Sequence, residues 1–251
     1  MSRNNKKISM SSHLVELRKR LMVVVICNLI SAFICYEYSQ KFVKYLLALN
    51  SSMSLVYLSP PELFLAYIKL AFIAGIILAS PVTFYQLWMF ISPALKKDEK
   101  CYIAFSLFAG AGFFTTGVTF AYAMVLPTML KFFSRIQMAE VTPMLSVGSY
   151  LDFVNSILFT FGLVFEMPLL IALLAKLKIV RAEFLRKKQP VLILLIFIIA
   201  AFITPPDVVS QIMLAVPMVF LLQLSIGICW IINRAQDRKI KEEDELYFKA
   251  E

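Results

Sequence analysis

"FGLVFEMPLLIALL", residues 161–174, is an almost unbroken apolar run with one carboxylate, Glu166, near its middle. Its flanks extend the run to 153–175, a length that crosses a hydrocarbon core of about 30 Å. A carboxylate there costs about 2.5–3.5 kcal/mol on insertion scales, so one that persists faces the bundle interior or a water-filled cavity. Two residues on, Pro168 frees the carbonyl of Val164 from its helical bond, and polar demand gathers at one level of the span. Two uses of Glu166 follow: a protonated side chain bonded to a neighbouring helix, or the polar site of a wet concavity. The second is the expectation taken forward.

Working outward, 251 residues that are 60% hydrophobic and 16% charged lie outside the range of soluble globular domains. Apolar runs at 21–36, 68–91, 103–127, 153–175, 190–203 and 208–232 predict an all-α integral membrane protein with six transmembrane helices, the fifth and sixth short. The fifth run, at 1.5 Å per residue, reaches only about 21 Å. A six-helix domain over 1–232 would then be followed by a charged tail, 233–251. Of the 25 Lys and Arg residues, all but Lys41, Lys44, Lys69, Lys131 and Arg135 fall in alternate connections and the two terminal segments. The positive-inside rule therefore puts both termini in the cytoplasm. The net charge of +9 follows topology and gives no reason to invoke nucleic acid. Small residues at four-residue spacing in the third run, Ser106/Gly110 and Gly117/Ala121, predict close helix packing.

Several chemistries lack their parts. The single histidine, His13, and four scattered cysteines supply neither a zinc site nor a Ser-His-Asp triad. No nucleotide-binding glycine loop is present, and no cofactor is expected.

Three polar segments need an account. In "SSHLVELRKRL", residues 11–21, Leu14, Leu17 and Leu21 share one helical face, predicting an amphipathic lead-in over 12–20 at the membrane surface. Glu16 is spaced for an intrahelical pair with Lys19 or Arg20. With Glu99 of "SPALKKDEK", residues 92–100, it would instead make a receptor for guanidinium groups, whose planar fork matches carboxylate oxygens. In "ITPPDVVSQ", residues 203–211, Thr204 is spaced as an N-cap, with Pro205 at the first helical position and Asp207 completing a capping box. Gln211, one turn beyond Asp207, extends a polar strip suited to docking another membrane helix.

The segments His13-Leu14-x-Glu16-Leu17-Arg18-x-Arg20, Pro60-x-Glu62-x-Phe64, Pro81 to Gln86 with Trp88, Pro93-Ala94-Leu95 with Glu99, Phe161-Gly162 with Phe165-Glu166-x-Pro168, and Thr204-Pro205-Pro206-Asp207 with Ser210-Gln211 together resemble TatC, the polytopic subunit of the twin-arginine protein translocase. They occur in family order across most of the chain. The resemblance implies a non-enzymatic receptor in the bacterial cytoplasmic (inner) membrane that binds the twin-arginine signal peptides of folded precursors. Glu16, Arg18 and Glu99 would form the signal-peptide site, Glu166 the polar residue of the concave face, and Asp207 and Gln211 the region that engages partner helices. It further implies the single-span partners TatA and TatB, a hetero-oligomer, and use of the proton motive force. Lys96 and Gln223 depart from the family pattern, where an aromatic and an acidic residue are common.

Two other classes are weaker. A proton-coupled transporter of small solutes would use Glu166 as its protonatable group, but no internal repeat is visible. An intramembrane protease would need Ser/His or paired Asp at membrane depth.

Overall fold

A chain in lipid must satisfy its backbone polar groups within its own segments, and helices do so most directly. The computed structural model describes residues 10–49, 54–56, 59–91, 100–135, 144–205 and 207–250. Within them the chain forms α1 (Met10–Glu37), α2 (Ser39–Ala48), β1 (Ser54–Val56), α3 (Pro60–Ile91) and α4 (Lys100–Phe120). A π-helical turn (Ala121–Val125), α5 (Leu126–Arg135) and β2 (Met144–Ser146) follow, then α6 (Val147–Phe165), α7 (Met167–Lys176), α8 (Ala182–Ile203) and α9 (Val208–Ala250).

Five stretches among the described residues are long and apolar enough to cross a membrane: Leu14–Glu37, Pro61–Leu87, Ala109–Arg135, Val147–Lys176 and Val208–Arg238. The fifth expected run, 190–203, is the apolar part of α8, whose first two turns carry Arg186, Lys187 and Lys188. Outward-facing side chains such as Phe33 (74% exposed) and Phe202 (88% exposed) are what a lipid-facing surface requires.

The lead-in over 12–20 is the first part of α1, which runs without a break from Met10 into the first span. One expectation is corrected. The last helix is not short and does not give way to a separate tail at 233, because α9 continues for 43 residues. Its extension is tied down at the start: Asn233 Oδ1 accepts the Ala182 N–H at 3.0 Å, and Gln236 Nε2 donates to the Lys176 carbonyl at 3.1 Å.

α1 lies antiparallel on α3, with Asn28 Nδ2 donating to Thr83 Oγ1 at 3.4 Å near one end of the contact and Gly75 against Ala32 nearer the other. At the end of the bundle remote from Arg20, β1 pairs in parallel with β2, joining the α2–α3 and α5–α6 connections. Glu62 there accepts the Gly148 N–H at 2.7 Å and the Ser146 hydroxyl. Tyr150 donates its hydroxyl to the Leu46 carbonyl at 2.7 Å, and Lys69 pairs with Asp152 at 2.7 Å.

The centre of the fold is α6, whose Leu151, Val154, Ile157 and Phe161 are fully buried. α4 packs on it without room for a methyl group at two places. A Cβ on Gly117 would lie 2.5 Å from the Phe161 carbonyl, and one on Gly162 would lie 2.7 Å from the Phe114 ring. The expected small-residue stripe is divided between neighbours, since Gly110 faces Phe84 of α3 while Gly117 faces α6. Just beyond, Pro127 lacks the N–H that would continue the ladder, and the chain inserts the π-helical turn, in which the Leu126 N–H reaches the Ala121 carbonyl.

This packing predicts an asymmetry between two glycines of α4. Gly117→Ala should destabilise by about 1–3 kcal/mol, the usual cost of overpacking against backbone. Gly112→Ala, where an added Cβ meets nothing within 4 Å, should leave the melting temperature in detergent unchanged or slightly raised.

Candidate functional site

The first predicted site residue sits in the first turns of α1. Two hydrogen bonds from Arg20 land on one oxygen of Glu16: Nε donates to Oε1 at 3.1 Å, and Nη2 donates to the same atom. The remaining arm, Nη1, donates to Gln86 Oε1 of α3 at 3.4 Å. Oε2 of Glu16 accepts no hydrogen bond among the described residues, and its side chain is 35% exposed. The intrahelical pair anticipated from the spacing is thus present, with Arg20 as its partner. Arg18 is exposed on the same helix. Glu99 lies outside the described residues, as do Pro93, Ala94, Leu95 and Lys96.

Glu166 occupies the break between α6 and α7. Its N–H bonds to the Leu163 carbonyl at 3.1 Å and its carbonyl accepts from Leu170 at 2.9 Å, while Pro168 falls in the first turn of α7. The expectation that its carboxylate faces a wet concavity is corrected. Glu166 is only 3% exposed, and neither carboxylate oxygen has a hydrogen-bond partner among the described residues. The reason is the α4–α6 contact, which closes over this level of the bundle through Gly117, Gly162 and the Phe114 ring.

A concavity does exist beside it. A cavity of about 660 Å³ opens between α4, the α6–α7 break and α9, lined by Gly112, Thr116 and Phe120 on one side and Pro217, Phe220 and Leu224 on the other. Phe165 and Pro168, which flank Glu166 in sequence, form part of its wall. The groove continues along α4 past Thr115 and Thr119 to Thr128 and Ile212. These threonine hydroxyls donate to carbonyls four residues back: Thr115 to Ala111 at 2.8 Å, Thr116 to Gly112 at 2.7 Å, and Thr119 to Thr115 at 2.8 Å. With their donors satisfied internally, they present a face that an apolar helix can contact without stranding a polar group. The threonines were not singled out from the sequence. Their signal was the clustering of three in five residues on one helix within an otherwise apolar run.

The α8–α9 turn differs in detail from the predicted capping box. Asp207, not Thr204, is the cap: its Oδ1 accepts the Ser210 N–H at 2.7 Å and α9 begins at Val208. Thr204 closes the preceding helix, its hydroxyl donating to Ala200 at 2.9 Å. Gln211 Nε2 donates to the Phe197 carbonyl at 3.0 Å, tying α9 to α8. The strip expected to dock a partner thus also holds this corner together.

These elements define a class: a multi-pass helical membrane protein with a lateral groove and a buried acidic side chain behind its wall. A family profile described as "Sec-independent protein translocase protein (TatC)" matches residues 12–217. The TatC of Desulforapulum autotrophicum is 35% identical over 250 residues, covering 98% of this chain and 93% of the relative. That of Helicobacter pylori J99 is 38% identical over 224 residues, covering 89% of each. A crystal structure of a twin-arginine translocase receptor, TatC, superposes with a TM-score of 0.82 at 35% identity, over 88% of this chain and 99% of that one. The chain belongs to the TatC family of protein translocase subunits.

The cap assignment makes a prediction. Asp207→Ala should cost about 1 kcal/mol, as loss of an N-cap does, and lower the melting temperature; Asp207→Asn, which keeps the acceptor, should stay close to the parent.

Proposed function

We propose that the chain is the receptor subunit for twin-arginine signal peptides in a translocase that moves folded proteins. Glu16 receives a signal arginine, with Glu99 as the second carboxylate and Arg18 shaping the surface around them. The apolar part of the signal lies along the threonine-lined groove, with Glu166 behind its wall. Asp207 and Gln211 mark the corner against which the single-span partners TatA and TatB assemble, giving a hetero-oligomer driven by the proton motive force. The protein resides in the bacterial inner membrane with both termini cytoplasmic, as the distribution of its basic residues favours. No step in this scheme makes or breaks a covalent bond.

One observation carries the reading. Glu16 already holds a guanidinium through Oε1 while Oε2 is unclaimed among the described residues. The geometry suits the arrival of another guanidinium, either on the second oxygen or in exchange for Arg20. The pair is partly exposed and local to one helix, a kind worth about 0.3–0.5 kcal/mol, so an incoming charge displaces it at small cost.

Photocrosslinking of a twin-arginine signal peptide to the full chain in membranes tests the site. Charge-assisted hydrogen bonds contribute about 1.5–3 kcal/mol each, so Glu16→Gln should weaken binding by about tenfold or more. Arg20→Gln, which removes the internal competitor, should retain or strengthen it. Unchanged crosslinking in a Glu16→Ala/Glu99→Ala double variant would remove the proposed site.

A further inference from the structure

A second concavity, unrelated to the groove, lies where the α7–α8 turn meets α9. Its volume is about 500 Å³, and Lys178, Arg181, Arg234, Arg238 and Lys241 line it against only two carboxylates, Glu183 and Asp237. None of these cations belongs to either ion pair found among the described residues, Glu16–Arg20 and Lys69–Asp152. Arg234 is instead held 5.1 Å from the centre of the Trp230 ring.

The cations are brought together by a built scaffold. The turn is fastened to α9 by the Asn233 and Gln236 hydrogen bonds, and it reverses through Lys178 at a φ of 59°. Lys178 thereby lines the pocket together with the basic residues of α9. Asn233 also accepts from the Cys229 thiol at 3.4 Å, and Cys229 is fully buried. Exposed apolar residues adjoin the lining ones in the chain: Ile179, 65% exposed, follows Lys178, Phe184 follows Glu183, and Ile231 follows Trp230, which itself lines the pocket. Free cations facing a concavity, a tryptophan at its edge and apolar side chains alongside form an arrangement suited to a molecule with an anionic head and apolar chains.

From this geometry we infer that the pocket binds the phosphate of an anionic phospholipid headgroup, with the acyl chains running along Ile179, Phe184 and Ile231. The shared chemistry is recognition of a phosphate anion. These exposed apolar neighbours assign the lipid, rather than free phosphate, as its source. A lipid held here would fasten the α7–α8 turn to the membrane surface independently of any signal peptide, so the site stands whether or not the receptor reading does.

The chain contains two tryptophans, Trp88 and Trp230, which makes Trp230 an intrinsic probe. The full chain carrying Trp88→Phe is reconstituted in phosphatidylcholine vesicles containing a small fraction of brominated phosphatidylglycerol or, for comparison, brominated phosphatidylcholine. Trp230 should be quenched more strongly by the phosphatidylglycerol. A basic residue near an anionic surface contributes about fivefold in affinity, so Arg181→Gln/Arg238→Gln and, separately, Lys178→Gln/Lys241→Gln should each shift the quenching curve by about tenfold or more. Arg186→Gln/Lys187→Gln, an equal loss of charge outside the pocket, should leave the preference intact. Inorganic phosphate at constant ionic strength should not reverse it. Equal quenching by the two lipids overturns the inference, as does equal loss of preference in the pocket and control variants. Reversal by inorganic phosphate overturns the lipid source.

Discussion

The contact between α4 and α6 governs the rest of the bundle. Without water to drive helices together, association in lipid depends on close packing, and small residues let backbones approach. Here Gly117 meets the Phe161 carbonyl and Gly162 meets the Phe114 ring, so the two helices interlock in both directions. Everything on the groove side follows from that distance. α4 is held near enough to α6 to close over Glu166, and the far face of α4 is left to form one wall of the cavity, with α9 forming the other. A wider separation would open Glu166 to the groove and remove the surface on which Thr115, Thr116 and Thr119 are displayed.

Proline sets the second constraint, because each ring removes a donor in a medium that supplies none. The chain answers differently at each site. Before Pro127 it inserts a π-helical turn; at Pro168 it breaks the helix one residue after Glu166; after Pro205 it starts a new helix with Asp207 as the cap. Two of these adjustments border the groove directly: Pro168 lines the cavity, and Val125 of the π-helical turn lines its continuation. Irregular backbone is thus concentrated along the groove, and such adjustments recur at functional sites in helical proteins.

Much of this was legible in the sequence, and what was not has identifiable causes. Five of the six apolar runs located stretches long and apolar enough to cross a membrane, because hydropathy is a property of each segment alone. The depth of Glu166 was legible for the same reason. Its orientation was not, since that depends on Gly117, distant in the chain. Thr204 and Asp207 were both plausible caps from spacing. Only the start of the helix decides the matter: α9 begins at Val208, directly after Asp207, while Thr204 bonds back to Ala200 and closes α8. The length of α9 was hidden because its apolar signal stops near Ile232. What continues it is helix propensity together with two hydrogen bonds to another turn, neither of which has a periodic signature.

In the proposed receptor, the pairing of Glu16 bears on how the site remains selective. A carboxylate left bare at a membrane surface rich in lysine and arginine would attract any cation, and its specificity would be poor. Pairing with Arg20 raises the threshold, because a competitor must do at least as well as a tethered guanidinium that also reaches Gln86. A lone ammonium, a compact point charge, matches the carboxylate less well than a planar fork. Two neighbouring guanidiniums in one peptide have a further advantage, since the second binds as an intramolecular event once the first is held. In the proposed reading the internal arginine sets only a low floor, and a paired guanidinium clears it by more than a single charge does. On this physical ground, one arginine already seated on Glu16 is compatible with a site built to recognise two.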